Sequence, residues 1–102
     1  MNFFDKLTQA IAYNQSLLVV GLDPNPELMP SNYDNLGDWL QFQINETKDL
    51  VCAYKPTLGF YQALGATGIE LWQKTLGAMP SNIPVILDAK HRDLNNSSLL
   101  SN

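Results

Sequence analysis

"PVILDA", residues 84–89, is a continuous apolar run that stops on an acidic residue, and its reading decides the fold. A run this short and this apolar reads as a strand buried on both faces, because a half-solvated strand would alternate polar and apolar positions. Two other stretches share the character: "SLLVVGL" at 16–22 and "VCAYKP" at 51–56. The three strands begin near residues 17, 51 and 84, a period of about 33 residues. No residue-by-residue repeat accompanies that period, so it is architectural.

The segments between the runs carry helical spacing. Residues 36–50, "LGDWLQFQINETKDL", place Leu36, Trp39, Leu40, Gln43, Ile44 and Thr47 along one side, with acidic residues and Lys48 opposite. Residues 59–79 predict a further helix with a break near 65–68, where the glycines of "GATG" lack a phosphate-loop pattern and read as helix breakers or caps. "DPNPELMP" at 23–30 holds three prolines and can continue neither a strand nor a helix, so it is a loop. Ahead of the first strand, residues 3–13 set Phe4, Leu7 and Ile11 at helical spacing and predict a short amphipathic helix across one end of a sheet. Buried strands alternating with amphipathic helices specify βαβ units. The expected fold class is therefore α/β, with about three parallel strands, flanking helices and right-handed crossovers.

Composition narrows the function. The 102 residues are 45% apolar and 16% charged, which is globular, and the net charge of −4 lacks the basic excess that phosphate-backbone binding needs. No nucleic-acid partner is expected. The only cysteine, Cys52, has no partner for an internal disulfide, and no Cys/His cluster has zinc-ligand spacing. Asp5, Lys6 and Gln9 interrupt the place where a signal peptide would have its apolar core, and no run reaches the length of a membrane span. The reading is a cytoplasmic protein without a membrane partner. The Asn-x-Ser/Thr matches at Asn45, Asn95 and Asn96 are taken as chance.

Charge is concentrated where the strands end. Asp23 follows the first run, Lys55 closes the second, and Asp88 and Lys90 close the third. In parallel α/β folds the carboxyl ends of the strands form the rim where ligands bind, so these four charges converge on one edge. Each also has a plainer reading. A lysine ending a buried strand must snorkel outward or find a carboxylate. Asp88 and Lys90, two apart on a strand, leave the same face, and Lys55 arrives at the corresponding height from the neighbouring strand, which favours pairing. Asp23 before a proline starts turns, and Asp93 is placed to cap a following helix. His91 is directed away from Asp88 and Lys90 by strand geometry, which gives it a loop or supporting role. Cys52, Trp39 and Trp72 read as core.

The motif Asp88-Ala-Lys90-x-x-Asp93 after an apolar strand, with "GLDP" at the first strand and "AYKP" at the second, resembles orotidine 5′-phosphate decarboxylase. "LVCAYKPTLGFYQALG" and "ILDAKH" are similar to the bacterial branch sometimes fused to an orotate phosphoribosyltransferase, and the likeness runs to about Ser98. The resemblance implies the amino-terminal portion of a (β/α)8 barrel, with residues 1–102 a partial barrel domain that stops after the third strand. It implies a homodimer that converts orotidine 5′-phosphate to uridine 5′-phosphate without metal or cofactor. Lys55, Asp88 and Lys90 would form an alternating charge network joined by Asp93 across the dimer interface. Asp23, Lys55 and Asp93 would bind the ribose, and Ser97 would contact the nucleotide of the partner subunit.

Magnesium-dependent sugar-phosphate decarboxylases and hexulose-phosphate synthases share Asp-x-Lys-x-x-Asp, but they carry Glu at the position of Lys55. Arg92 stands where the family normally has glycine. A barrel of this kind takes roughly 250 residues, and its phosphate site comes from the loops after the seventh and eighth strands. The isolated chain is therefore expected to be inactive, and the alternative reading is a non-catalytic fragment that needs a complementing partner.

Overall fold

In a computed structural model, residues 2–88 are described. The first helix, α1 (Phe3–Asn14), starts where the Asn2 side chain accepts the Asp5 N–H and ends at Gln15 in the left-handed conformation, φ 50°. Leu7 and Ile11 rest on the core, whereas Phe4 is 72% exposed, so only part of the predicted apolar face is used. Asn14 sews this helix to the amino end of the second strand, donating to Lys48 C=O at 3.1 Å and Val51 C=O at 2.8 Å. Ser16 adds a 2.6 Å bond to Leu50 C=O. The carboxyl end of α1 is thus fixed beside the chain that enters β2.

Strand β1 (Val19–Gly21) pairs in parallel with β2 (Ala53–Lys55), in the register Val19↔Ala53, Val20↔Tyr54, Gly21↔Lys55. The proline loop between them contains one 3-10 turn at Pro26–Leu28, capped by Asn25. Helix α2 (Leu36–Thr47) returns the chain, with Leu40 and Ile44 buried on the predicted side. Tyr54 is fully buried, and its hydroxyl meets Thr47 Oγ1 at 2.7 Å and donates to Ile44 C=O at 3.2 Å. The phenol therefore faces α2, and by alternation Ala53 and Lys55 face the opposite side of the sheet. Burial pushes the Tyr54 phenol upward, only partly offset by the Thr47 hydroxyl.

The third apolar run aligns beside β2 without forming a continuous ladder. Tyr54 N–H donates to Pro84 C=O and Ile86 N–H to Tyr54 C=O, then Asp88 N–H donates to Pro56 C=O and Leu58 N–H to Asp88 C=O. These are two separate parallel bridges, Tyr54↔Val85 and Thr57↔Asp88. A regular ladder would place between them a bond from residue 56 to the carbonyl of residue 86, and Pro56 has no N–H to give. The predicted third strand is thus present in direction and neighbour, but interrupted on its partner's side.

The helical stretch after β2 is broken as its glycines suggest. Helix α3 (Leu58–Gln62) and helix α4 (Ala66–Ala78) meet at Gly65, whose φ of 75° and ψ of −150° suit glycine alone. Gly68 is a different case, buried inside α4 and pressed against α3. The core joins Leu22, Leu40, Ile44, Val51, Cys52, Tyr54, Tyr61 and Ile83, and Trp72 packs edge-on against Tyr61 at 5.0 Å. Cys52 is a core residue as read; Trp72 and Trp39 are only half-buried, Trp72 packing against the core from its edge. No helix among the described residues is long and apolar enough to cross a membrane.

Candidate functional site at the strand carboxyl ends

Three of the charges assigned to the rim lie in the described residues, and the topology brings them together. Lys55 is the last residue of β2, Asp23 follows β1 by two positions, and Asp88 is the last described residue of the third run. Lys55 Nζ lies 3.5 Å from Asp88 Oδ2, with the two side chains 41% and 25% exposed. An ion pair so open to solvent contributes about 1 kcal/mol or less to stability, so folding alone gives little reason to place it here. Asp23 Oδ1 accepts the Thr57 N–H at 2.9 Å, and the same short segment binds the third run through Leu58 N–H. The first residues after Lys55 therefore hold both acidic neighbours.

Glycine at position 21, in register with Lys55, leaves the sheet without a side chain beside the lysine. Above it, Tyr61 donates from a fully buried hydroxyl to Leu22 C=O. Burial drives this phenol far above its ordinary value; the Thr75 hydroxyl offsets part of the rise and the Asp23 charge adds to it. It stays protonated and remains a donor throughout the neutral range. Neither Thr57 nor Tyr61 was singled out from the sequence. Their available signal was spacing: Thr57 opens a helix directly after Lys55-Pro56, and Tyr61 lies one helical turn further on the same face. Lys90, His91, Arg92, Asp93 and Ser97, also read as site or neighbouring residues, lie outside the described residues.

A parallel sheet joined through helices, with its charged side chains gathered at the strand carboxyl ends, defines an α/β unit and its rim. No protein-family model matches the sequence. The chain is 66% identical over 107 residues to the bifunctional enzyme PyrF/PyrE of Nostoc sp., a match covering 99% of this chain and 22% of that protein. It is 41% identical to an orotidine 5′-phosphate decarboxylase of Herpetosiphon aurantiacus, over 94% of this chain and 38% of the relative. A crystal structure from Toxoplasma gondii, of a protein described as an orotidine-monophosphate-decarboxylase, superposes with a TM-score of 0.80 at 31% identity, covering 98% of this chain and 37% of that one. The chain is a homologue of part of the orotidine 5′-phosphate decarboxylases, and it spans between 22% and 38% of the length of these curated relatives.

Proposed function

We propose that Asp23, Lys55 and Asp88 form part of a site that decarboxylates orotidine 5′-phosphate to uridine 5′-phosphate. The observation that carries this reading is the Lys55–Asp88 ion pair, 3.5 Å apart on neighbouring strand ends, beside an Asp23 already fixed by Thr57. Loss of carbon dioxide from C6 of the pyrimidine leaves a carbanion with no conjugated sink. A cation must therefore stand where that charge develops before the bond breaks. Lys90 has that role: its ammonium stabilises the anion and then protonates C6. Asp88, between Lys55 and Lys90 in the network, holds the lysines protonated and in place, and its charge disfavours the bound carboxylate. Asp93 completes the network from the partner subunit of a homodimer, Asp23, Lys55 and Asp93 bind the ribose, and Ser97 contacts the nucleotide. The reading assigns no metal and no cofactor, and it places the enzyme in the cytoplasm. Lys55 favours it over the magnesium-dependent sugar-phosphate decarboxylases, because an ammonium paired with Asp88 occupies the position of their metal-binding Glu.

The 102 residues alone are proposed to be inactive. Such a decarboxylation calls for barrier lowering on the order of 20 kcal/mol, of which one general acid supplies about 3 to 5. The remainder rests largely on binding energy remote from the reacting carbon, above all at the phosphate. The test grafts residues 1–102 in place of the matching segment of the Nostoc relative, with Arg92 retained and with Arg92→Gly. The graft should convert orotidine 5′-phosphate in at least one form, and Lys55→Ala should lower kcat/KM by about 10²–10³-fold. An active graft indifferent to Lys55→Ala would refute the assignment.

A further inference from the structure

The ends of all three strand segments are tied to the first turn of α3, and two of the ties close a ring. Thr57 N–H donates to the Asp23 carboxylate, and four residues later Tyr61 donates to Leu22 C=O, the residue before Asp23. One short helix thus grips the end of β1 at two adjacent points, by its opening amide and by a buried phenol. The third run joins the same turn through Leu58 N–H and Asp88 C=O, 2.9 Å apart. Thr57 has no side-chain cap of its own on α3, so the start of this helix is engaged by the Asp23 carboxylate at Thr57 N–H and by Asp88 C=O at Leu58 N–H.

The phenol is built into that place. Tyr61 is fully buried, Trp72 packs on its ring edge-on at 5.0 Å, and the Tyr61 carbonyl lies against α4 at Gly68. Its ring has no room to swing, so the hydroxyl defines a fixed height for Leu22 C=O. The peptide that carries this carbonyl leads directly into Asp23.

We infer that Tyr61 is a positioning residue for the rim: through Leu22 C=O it sets the Asp23 carboxylate against Thr57 N–H, and so fixes the direction in which that carboxylate meets a ligand. The role of Asp23 toward a ligand rests on the function proposed above. The coupling of Tyr61 to Asp23 does not, and it can be read without any activity.

The experiment is amide hydrogen exchange by NMR on the 102-residue chain, comparing Thr57 with Tyr54, whose N–H bonds Pro84 C=O away from the ring. Tyr61→Phe removes only the hydroxyl. It should accelerate exchange at Thr57 relative to Tyr54 by about fivefold or more, the scale of one lost hydrogen bond. In the Asp23→Ala background the same substitution should change that ratio by less than about twofold, because the carboxylate through which Tyr61 acts is gone. A general loss of stability moves both amides together in either background. An unchanged ratio in the Asp23 protein, or an equal change with and without Asp23, overturns the inference. Failure of the decarboxylase reading would show instead in the grafted enzyme and would leave this ratio untouched.

Discussion

Gly68 lies within α4, where replacing glycine by alanine ordinarily stabilises a helix by about 1 kcal/mol. The packing of α4 on α3 reverses that expectation. A Cβ built on Gly68 would stand 1.8 Å from Tyr61 O, 2.8 Å from Leu64 Cβ and 2.9 Å from the Tyr61 carbonyl carbon. The nearest atom is backbone, and its oxygen accepts the Leu64 N–H at 3.1 Å, so it cannot turn aside as a flexible side chain would. Reaching ordinary contact, 3.4 Å or more, requires the two helices to part by about 1.6 Å, which opens the Tyr61–Trp72 contact and gives the usual penalty of overpacking, about 1–3 kcal/mol net. Urea unfolding of the chain followed by far-UV circular dichroism measures the sign. Gly77→Ala is the internal control: it lies in the same helix with nothing within 4 Å of the added Cβ, and it should gain up to about 1 kcal/mol. A Gly68→Ala protein as stable as the parent, or more so, would refute the close approach of α3 and α4.

Gly65→Ala should lose about 1–3 kcal/mol in the same assay, because φ 75° with ψ −150° is strained for any residue with a Cβ, even though nothing crowds the site. Tyr54 and Tyr61 both have phenols raised above the ordinary value of 10.0 by burial. Above that pH the unfolded chain loses protons that the folded chain keeps, so stability should fall as pH rises past 10, by up to about 1.4 kcal/mol per unit for Tyr61, with Tyr54 adding in the same direction. Urea midpoints measured from pH 8 to 11 check this, and Tyr61→Phe should reduce the slope. Lys55→Ala should change the unfolding free energy of the chain by about 1 kcal/mol or less, since its ion pair is 41% and 25% exposed, while abolishing most activity in the grafted enzyme. A large loss of stability would make Lys55 a structural residue first.

The amino-acid sequence by itself determined the alternation of apolar runs and amphipathic helices, and hence the parallel topology; burial on both faces holds for the β2 run alone, since Leu18 and Val19 of the first run are 52% and 41% exposed and Leu87 of the third is 60% exposed. That topology alone carried Asp23, Lys55 and Asp88 to one rim, because parallel strands put their carboxyl ends on the same edge whatever follows them. Leu40 and Ile44 were legible on α2 from their spacing, and the break at Gly65 from its glycine. Phe4 was not: helical periodicity names a face without saying how far the core beneath it extends. The interruption of the third strand opposite Pro56 needed the register, since a missing donor matters only once its acceptor is known. Only the tertiary structure decided that Thr57 N–H serves Asp23 and that Tyr61 reaches Leu22, contacts between residues 34 and 39 positions apart. Local sequence encodes the period of an element and the chemistry of its ends. Which backbone group meets which side chain across the sheet is settled by how the elements pack, and in this chain that packing gathers the rim onto the first turn of α3.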